Sequence, residues 1–118
     1  MTENVPPPGT DLCGFTELAD GAGRALSWGS GKAAFGIILL RVGDCVTAYV
    51  NRCPHFQIPL DHLTNVTLFG EFVLCSHHYA AFRIADGNCV EGPCEGASLT
   101  PMPVAVVAGR IRIVEGLE

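Results

Sequence analysis

Apolar residues in this chain fall into short runs broken by glycine- and proline-bearing turns, a period-two texture rather than a helical one. Phe35 to Val42 is mostly apolar with branched side chains, Gly43-Asp44 interrupts it, and Cys45 to Asn51 then alternates Val46, Ala48 and Val50 against Thr47 and Tyr49. This predicts a β-hairpin. The pattern returns near the end of the chain: Val104 to Val107, a turn at Ala108-Gly109, and Arg110 to Val114, with Ile111 and Ile113 inward and Arg110 and Arg112 outward. Between the hairpins, strands are predicted at Glu71 to Leu74, at Ala81 to Ile84 and, after an Asp86-Gly87 turn, at Cys89-Val90. The first third is less regular. A short strand is expected near Leu12 to Phe15, and Asp20-Gly-Ala-Gly23 reads as a loop. Val5-Pro-Pro-Pro-Gly9 is a polyproline-like lead-in. The expected organisation is therefore a flexible lead-in over residues 1–10 and a single domain over residues 11–118.

Composition agrees with short strands. The 118 residues suit one domain, and 48% hydrophobic content with 14 Gly and 8 Pro favours many turns over long helices. A net charge of -5 argues against non-specific nucleic-acid binding and permits steering toward a basic partner. The N-terminus lacks the basic and apolar regions of a secretory signal, and the longest apolar run, Ala33 to Leu40, is too short to span a membrane. A cytoplasmic protein without a membrane segment is expected. In that reducing compartment the six cysteines favour thiols and metal ligands over disulfides.

Candidate chemistry concentrates in Cys53-Pro54-His55 and Cys75-Ser76-His77-His78, each placed just after a predicted strand. Two thiols and two imidazoles suit zinc or an iron-sulfur centre. A zinc finger usually pairs like with like. Here each loop offers one Cys and one His, the arrangement a 2Fe-2S cluster needs when one iron takes both thiolates and the other both imidazoles.

Together with Phe82, Asp86-Gly87 and Gly92-Pro93, these motifs resemble the Rieske iron-sulfur family over roughly Asp11 to Glu115. The resemblance implies an all-β fold, an antiparallel β-sandwich with a small cluster-binding β subdomain inserted at about residues 52–95. It implies a 2Fe-2S cluster with Cys53 and Cys75 on the inner iron, His55 and His78 on the outer iron, and the Gly92-Pro93 loop as a third wall. The chain departs from the pattern in a longer gap between His55 and Cys75, absorbed by an expected loop at about Leu63 to Phe69, in Tyr79 where Gly often stands, and in the additional His77. High-potential members carry a disulfide between the two cluster loops, and Ile58 and His77 occupy the matching positions. Those members also direct a Ser and a Tyr hydroxyl at cluster or ligand sulfur; the matching residues are Ala80 and Phe82. Without these donors the potential is expected at the low end of the Rieske span of about -150 to +300 mV.

The function implied is that of a soluble, low-potential ferredoxin, an electron-transfer component rather than an enzyme with its own substrate. Its implied partners are a flavin-dependent reductase and a terminal oxygenase, with no nucleic acid and no membrane, and a monomer is expected. Two other classes stand beside it: a non-catalytic Rieske small subunit of a larger reductase complex and a structural zinc-binding domain. Cys13 and Cys45 are expected as core fillers, Cys89 and Cys94 as free thiols, Phe56, Phe82 and Pro93 as apolar cover over the sulfurs, and His62 and His77 as non-ligands.

Overall fold

The computed structural model describes residues 5–29, 35–52, 67–74, 80–92 and 97–115. Among these residues the regular structure is ten strands and one short 3-10 turn: β1 (Asp11–Gly14), the turn Phe15–Glu17, β2 (Gly23–Trp28), β3 (Phe35–Val42), β4 (Cys45–Val50), β5 (Thr67–Phe69), β6 (Phe72–Leu74), β7 (Ala81–Arg83), β8 (Cys89–Glu91), β9 (Val104–Val107) and β10 (Arg110–Ile113). They form three antiparallel sheets, ordered β1-β10-β9, β2-β3-β4 and β5-β6-β7-β8. The all-β, antiparallel expectation holds. Among the described residues no helix is long and apolar enough to cross a membrane.

Strand β3 is the axis of the molecule. Ile37, Ile38, Leu39 and Leu40 are all fully buried, so this strand is covered on both faces. That explains why its sequence is a continuous apolar run and not an alternating one. Ile38 and Leu40 point into one core with Tyr49, Val73, Ala80, Phe82, Ile84, Cys89 and Leu99. Ile37 and Leu39 point the other way, into a core with Cys13, Leu18, Ala48, Met102, Ile111 and Ile113. The middle sheet thus lies between the terminal hairpin sheet on one side and the four-stranded sheet on the other.

Both predicted hairpins form in the predicted register, with Val42 opposite Cys45 and Arg110 opposite Val107. The β9–β10 turn has positive φ at both Ala108 and Gly109, 52° and 78°, the geometry whose twist matches the flanking strands. Ile111 and Ile113 are buried and Arg112 is exposed, as the alternation requires.

In β4 the alternation survives, and the face bearing Tyr49 is covered by the four-stranded sheet. Three expectations need correction. Cys45 is exposed at the β3–β4 turn and fills no core. Strand β2 lay hidden in the sequence: it is an edge strand with Arg24, Ala25 and Ser27 exposed, and too few of its side chains are buried to leave a pattern. Part of the expected Leu63 to Phe69 loop is strand β5, which pairs with β6. The first strand was placed within one residue, with Phe15 passing into the 3-10 turn. That turn is held on the middle sheet by Arg41, whose guanidinium stacks 4.0 Å from the centre of the Phe15 ring and donates to the Leu18 carbonyl at 2.7 Å.

Candidate metal centre

The candidate ligands Cys53, His55, Cys75 and His78 lie outside the described residues, as do Phe56, Ile58, His62, His77, Tyr79, Pro93 and Cys94. The residues from which those segments depart are described, and they define the frame of the site. Among the described residues no group of His, Cys, Asp and Glu could hold a metal ion.

The first segment leaves the end of β4. There Val50 N–H donates to the Thr100 carbonyl at 2.8 Å and Asn51 N–H to the Gly36 carbonyl at 2.9 Å, so the strand is paired on both sides up to its last residues. Such pairing stiffens the base of a ligand loop, which must hold donor atoms in place. The second segment connects β6 to β7. Its ends are pinned because Leu74 and Ala81 are register partners.

The third segment, after β8, begins at Gly92. Its φ is +105°, and a Cβ built there would lie 2.8 Å from Ala80 Cα and 3.1 Å from Ala80 Cβ. Glycine is required at this point on both counts, since L-residues avoid this φ and the neighbouring backbone leaves no space. The close approach brings the root of the third segment against the exit of the second. Ala80 is 1% exposed and Phe82 fully buried in the same core, so the chain where the second segment ends is packed in apolar surroundings and carries no hydroxyl at either position.

A cross-link between the sheets joins Tyr49, which the sequence did not single out, to the Asp86-Gly87 turn, which it did. Tyr49, 3% exposed, donates its hydroxyl to the Ile84 carbonyl at 2.7 Å. Burial first, and then the nearby Asp86 carboxylate, push its pKa up to about 12. Gly87, with φ +77°, lies against the Tyr49 ring, where a Cβ would fall 2.8 Å from Cε1. The Asp86-Gly87 turn is closed by Gly87 N–H donating to the Arg83 carbonyl at 2.7 Å and by Asn88 N–H donating to the Asp86 carboxylate at 2.9 Å. The sequence signal available for Tyr49 was an aromatic residue in the strand preceding Cys53, which is indistinguishable from ordinary core.

Two described thiols lie in the interior. Cys89 is buried and donates to the Glu91 carbonyl at 3.3 Å, whereas burial pushes the Cys13 thiol pKa up. Phe82 is fully buried in the core, and the sulfurs it is expected to cover lie outside the described residues.

These surroundings fit a cluster bound by two thiolates and two imidazoles. The candidate donor set is complete in sequence, and the described strands from which its segments depart are well paired, with Gly92 packed closely on the apolar Ala80.

Comparison with solved structures places the fold. The chain superimposes on a chain from the complex of reduced oxygenase and oxidized ferredoxin in carbazole 1,9a-dioxygenase with a TM-score of 0.78 at 23% identity, covering 96% of this chain and 98% of the other. For the ferredoxin of carbazole 1,9a-dioxygenase from Nocardioides aromaticivorans IC177 the TM-score is 0.74 at 21% identity, covering 93% and 99%. The Sphingomonas yanoikuyae B1 ferredoxin gives 0.70 at 23% identity, covering 91% and 98%. At these identities the likeness is one of fold. No curated protein sequence matches the chain. The family model of the Rieske [2Fe-2S] domain matches residues 12–108, which include both Cys-His motifs, the Asp86-Gly87 turn and Gly92, and on that match the chain belongs to the Rieske family.

Proposed function

We propose that this protein is a one-electron carrier that holds a Rieske 2Fe-2S cluster through Cys53 and Cys75 on one iron and His55 and His78 on the other. In this reading it takes electrons from a flavin-dependent reductase and delivers them to a terminal oxygenase in the cytoplasm. The observation that carries the reading is a complete mixed Cys-His donor set within a Rieske family match, spanned almost end to end by ferredoxin folds. The association of one such fold with an oxygenase in a solved complex supports the choice of acceptor.

When bound, the cluster supplies a reversible one-electron couple. The chain's own residues do the rest. Strands β4 and β6 hold the roots of the two ligand loops, Gly92 closes the third loop against Ala80, and Ala80 and Phe82 offer no hydroxyl to the sulfurs. Hydrogen bonds to sulfur favour the reduced state, so their absence at these two positions favours a low potential. His55 and His78, as neutral imidazoles on the outer iron, would form the surface through which a docked partner exchanges the electron.

The test is an optical and EPR spectrum with metal analysis of the purified protein. A red-brown protein with two irons per chain, a low average g value when reduced and a midpoint at or below the low end of the span supports the reading. A colourless protein with stoichiometric zinc overturns it, and a midpoint well above zero overturns the assignment to the low-potential type.

A further inference from the structure

The two candidate ligand loops depart from different sheets, the first from β4 in the middle sheet and the second from β6 in the four-stranded sheet. Among the described residues no strand ladder joins these two sheets, so contacts across the core between them help set the separation of the loop roots. Tyr49 makes a polar one. It lies four positions before Cys53, its ring is wedged against Gly87, and its buried hydroxyl holds the Ile84 carbonyl at 2.7 Å. Ile84 N–H in turn donates to the Glu71 carbonyl at 2.9 Å, in the turn that leads into β6. Leu99 N–H donates to the Gly87 carbonyl at 2.8 Å, and the next residue, Thr100, accepts from Val50 N–H at 2.8 Å. The links form a closed circuit from Tyr49 through Ile84, Gly87, Leu99 and Thr100 back to the residue after Tyr49. A hydrogen bond within such a circuit fixes direction as well as distance, which apolar contacts do not.

We infer that Tyr49 is a positioning residue for the metal centre: its hydroxyl, through the Ile84 carbonyl, fixes the separation and orientation of the strands from which the two ligand segments depart. The inference rests on Cys53, His55, Cys75 and His78 being the ligand set. Raised well above neutrality, the hydroxyl stays protonated and donating across the working pH range.

Tyr49→Phe keeps the ring and removes the donor. The comparison is Ile113→Val, a one-methylene deletion in the opposite core, where Ile113 is 1% exposed and packs with Ile111 and Met102. Both variants should fold, with modestly lowered melting temperatures. Iron release from the loaded proteins to a strong chelator should be about tenfold faster for Tyr49→Phe, the factor expected from one lost buried hydrogen bond, and its reduced-state EPR lines should broaden. Ile113→Val should stay within about twofold of wild type with an unchanged line shape. Gly87→Ala, which pushes the Tyr49 ring from the other side, should broaden the lines in the same way. Release rates that follow melting temperature alone across the three variants, or a Tyr49→Phe protein with wild-type release and line shape, would overturn the inference. If the wild type instead carries zinc, the cluster reading fails on that finding, and zinc release to a chelator tests Tyr49 by the same comparison.

Discussion

Gly92→Ala perturbs the closest backbone approach beside the candidate centre. The new Cβ would stand 2.8 Å from Ala80 Cα, and this neighbour is backbone, which cannot swing aside as a side-chain tip could. Two costs combine. Holding an L-residue at φ +105° costs about 1–2 kcal/mol, and overpacking a close-fitting site about 1–3 kcal/mol more. The expected loss is about 2–5 kcal/mol against a typical domain stability of about 5–15 kcal/mol. Gly109→Ala is the matched control: its φ is +78°, nothing lies within 4 Å of the new Cβ, and only the backbone cost of about 1–2 kcal/mol remains. At about 4 °C per kcal/mol for a chain of this size, thermal unfolding should drop by about 8–20 °C for Gly92→Ala and about 4–8 °C for Gly109→Ala. Because the strain falls between the third segment and the exit of the second, Gly92→Ala should also lose bound metal to a chelator below its unfolding temperature. Equal melting shifts in the two variants, with equal metal retention, would refute the close approach at Ala80.

Ala80→Ser places a hydroxyl in the buried wall at the exit of the second segment; a donor there should raise the midpoint potential by tens of millivolts, up to about 100 mV for one strong hydrogen bond, in a spectroelectrochemical titration. No change would tell against Ala80 facing the cluster. Of the three described thiols, the exposed Cys45 should be alkylated first in the native protein, ahead of the buried Cys13 and Cys89, as intact and peptide mass spectra would show. The Arg110 guanidinium, bonded to both carboxylate oxygens of Asp11, holds that carboxyl below its ordinary value of 3.8. A depressed folded pKa gives stability that is present above the unfolded pKa and lost as pH falls through the folded one. Asp11→Asn should therefore melt lower than wild type at neutral pH, and the gap should close in acid below about pH 3.8 and in high salt. Tyr49 works in the opposite range. With a folded pKa of about 12 against an ordinary 10.0, its contribution is intact below pH 10 and lost as pH rises through 12, so alkaline unfolding should begin above pH 10 and Tyr49→Phe should remove that component.

Much of the fold was legible because its strands obey local rules. Ile111 and Ile113 alternate with Arg110 and Arg112, Ala108-Gly109 and Gly43-Asp44 mark turns, and the Ile37 to Leu40 run is what a strand buried on both faces requires. The candidate donor set stands out for a similar reason: metal chemistry restricts residue types and spacing so strongly that Cys53, His55, Cys75 and His78 are conspicuous in one dimension. What stayed illegible depends on which face another sheet covers. Nothing local distinguishes Cys45, exposed at a turn, from Cys13, buried in a core, and nothing in the Thr47-Ala48-Tyr49 alternation says that its second face is closed. Strand β2 escaped because an edge strand buries too little to print a period.

By itself the sequence determined the chemistry on offer and the strand content, since ligand identity and period-two burial are properties of neighbours along the chain. The tertiary structure alone decided what braces that chemistry. It brings Gly92 against Ala80 and the Tyr49 hydroxyl onto Ile84, pairs separated by 12 and 35 positions. Such contacts leave no trace in spacing, because they are fixed by how three sheets stack around β3 and not by any segment's own preference.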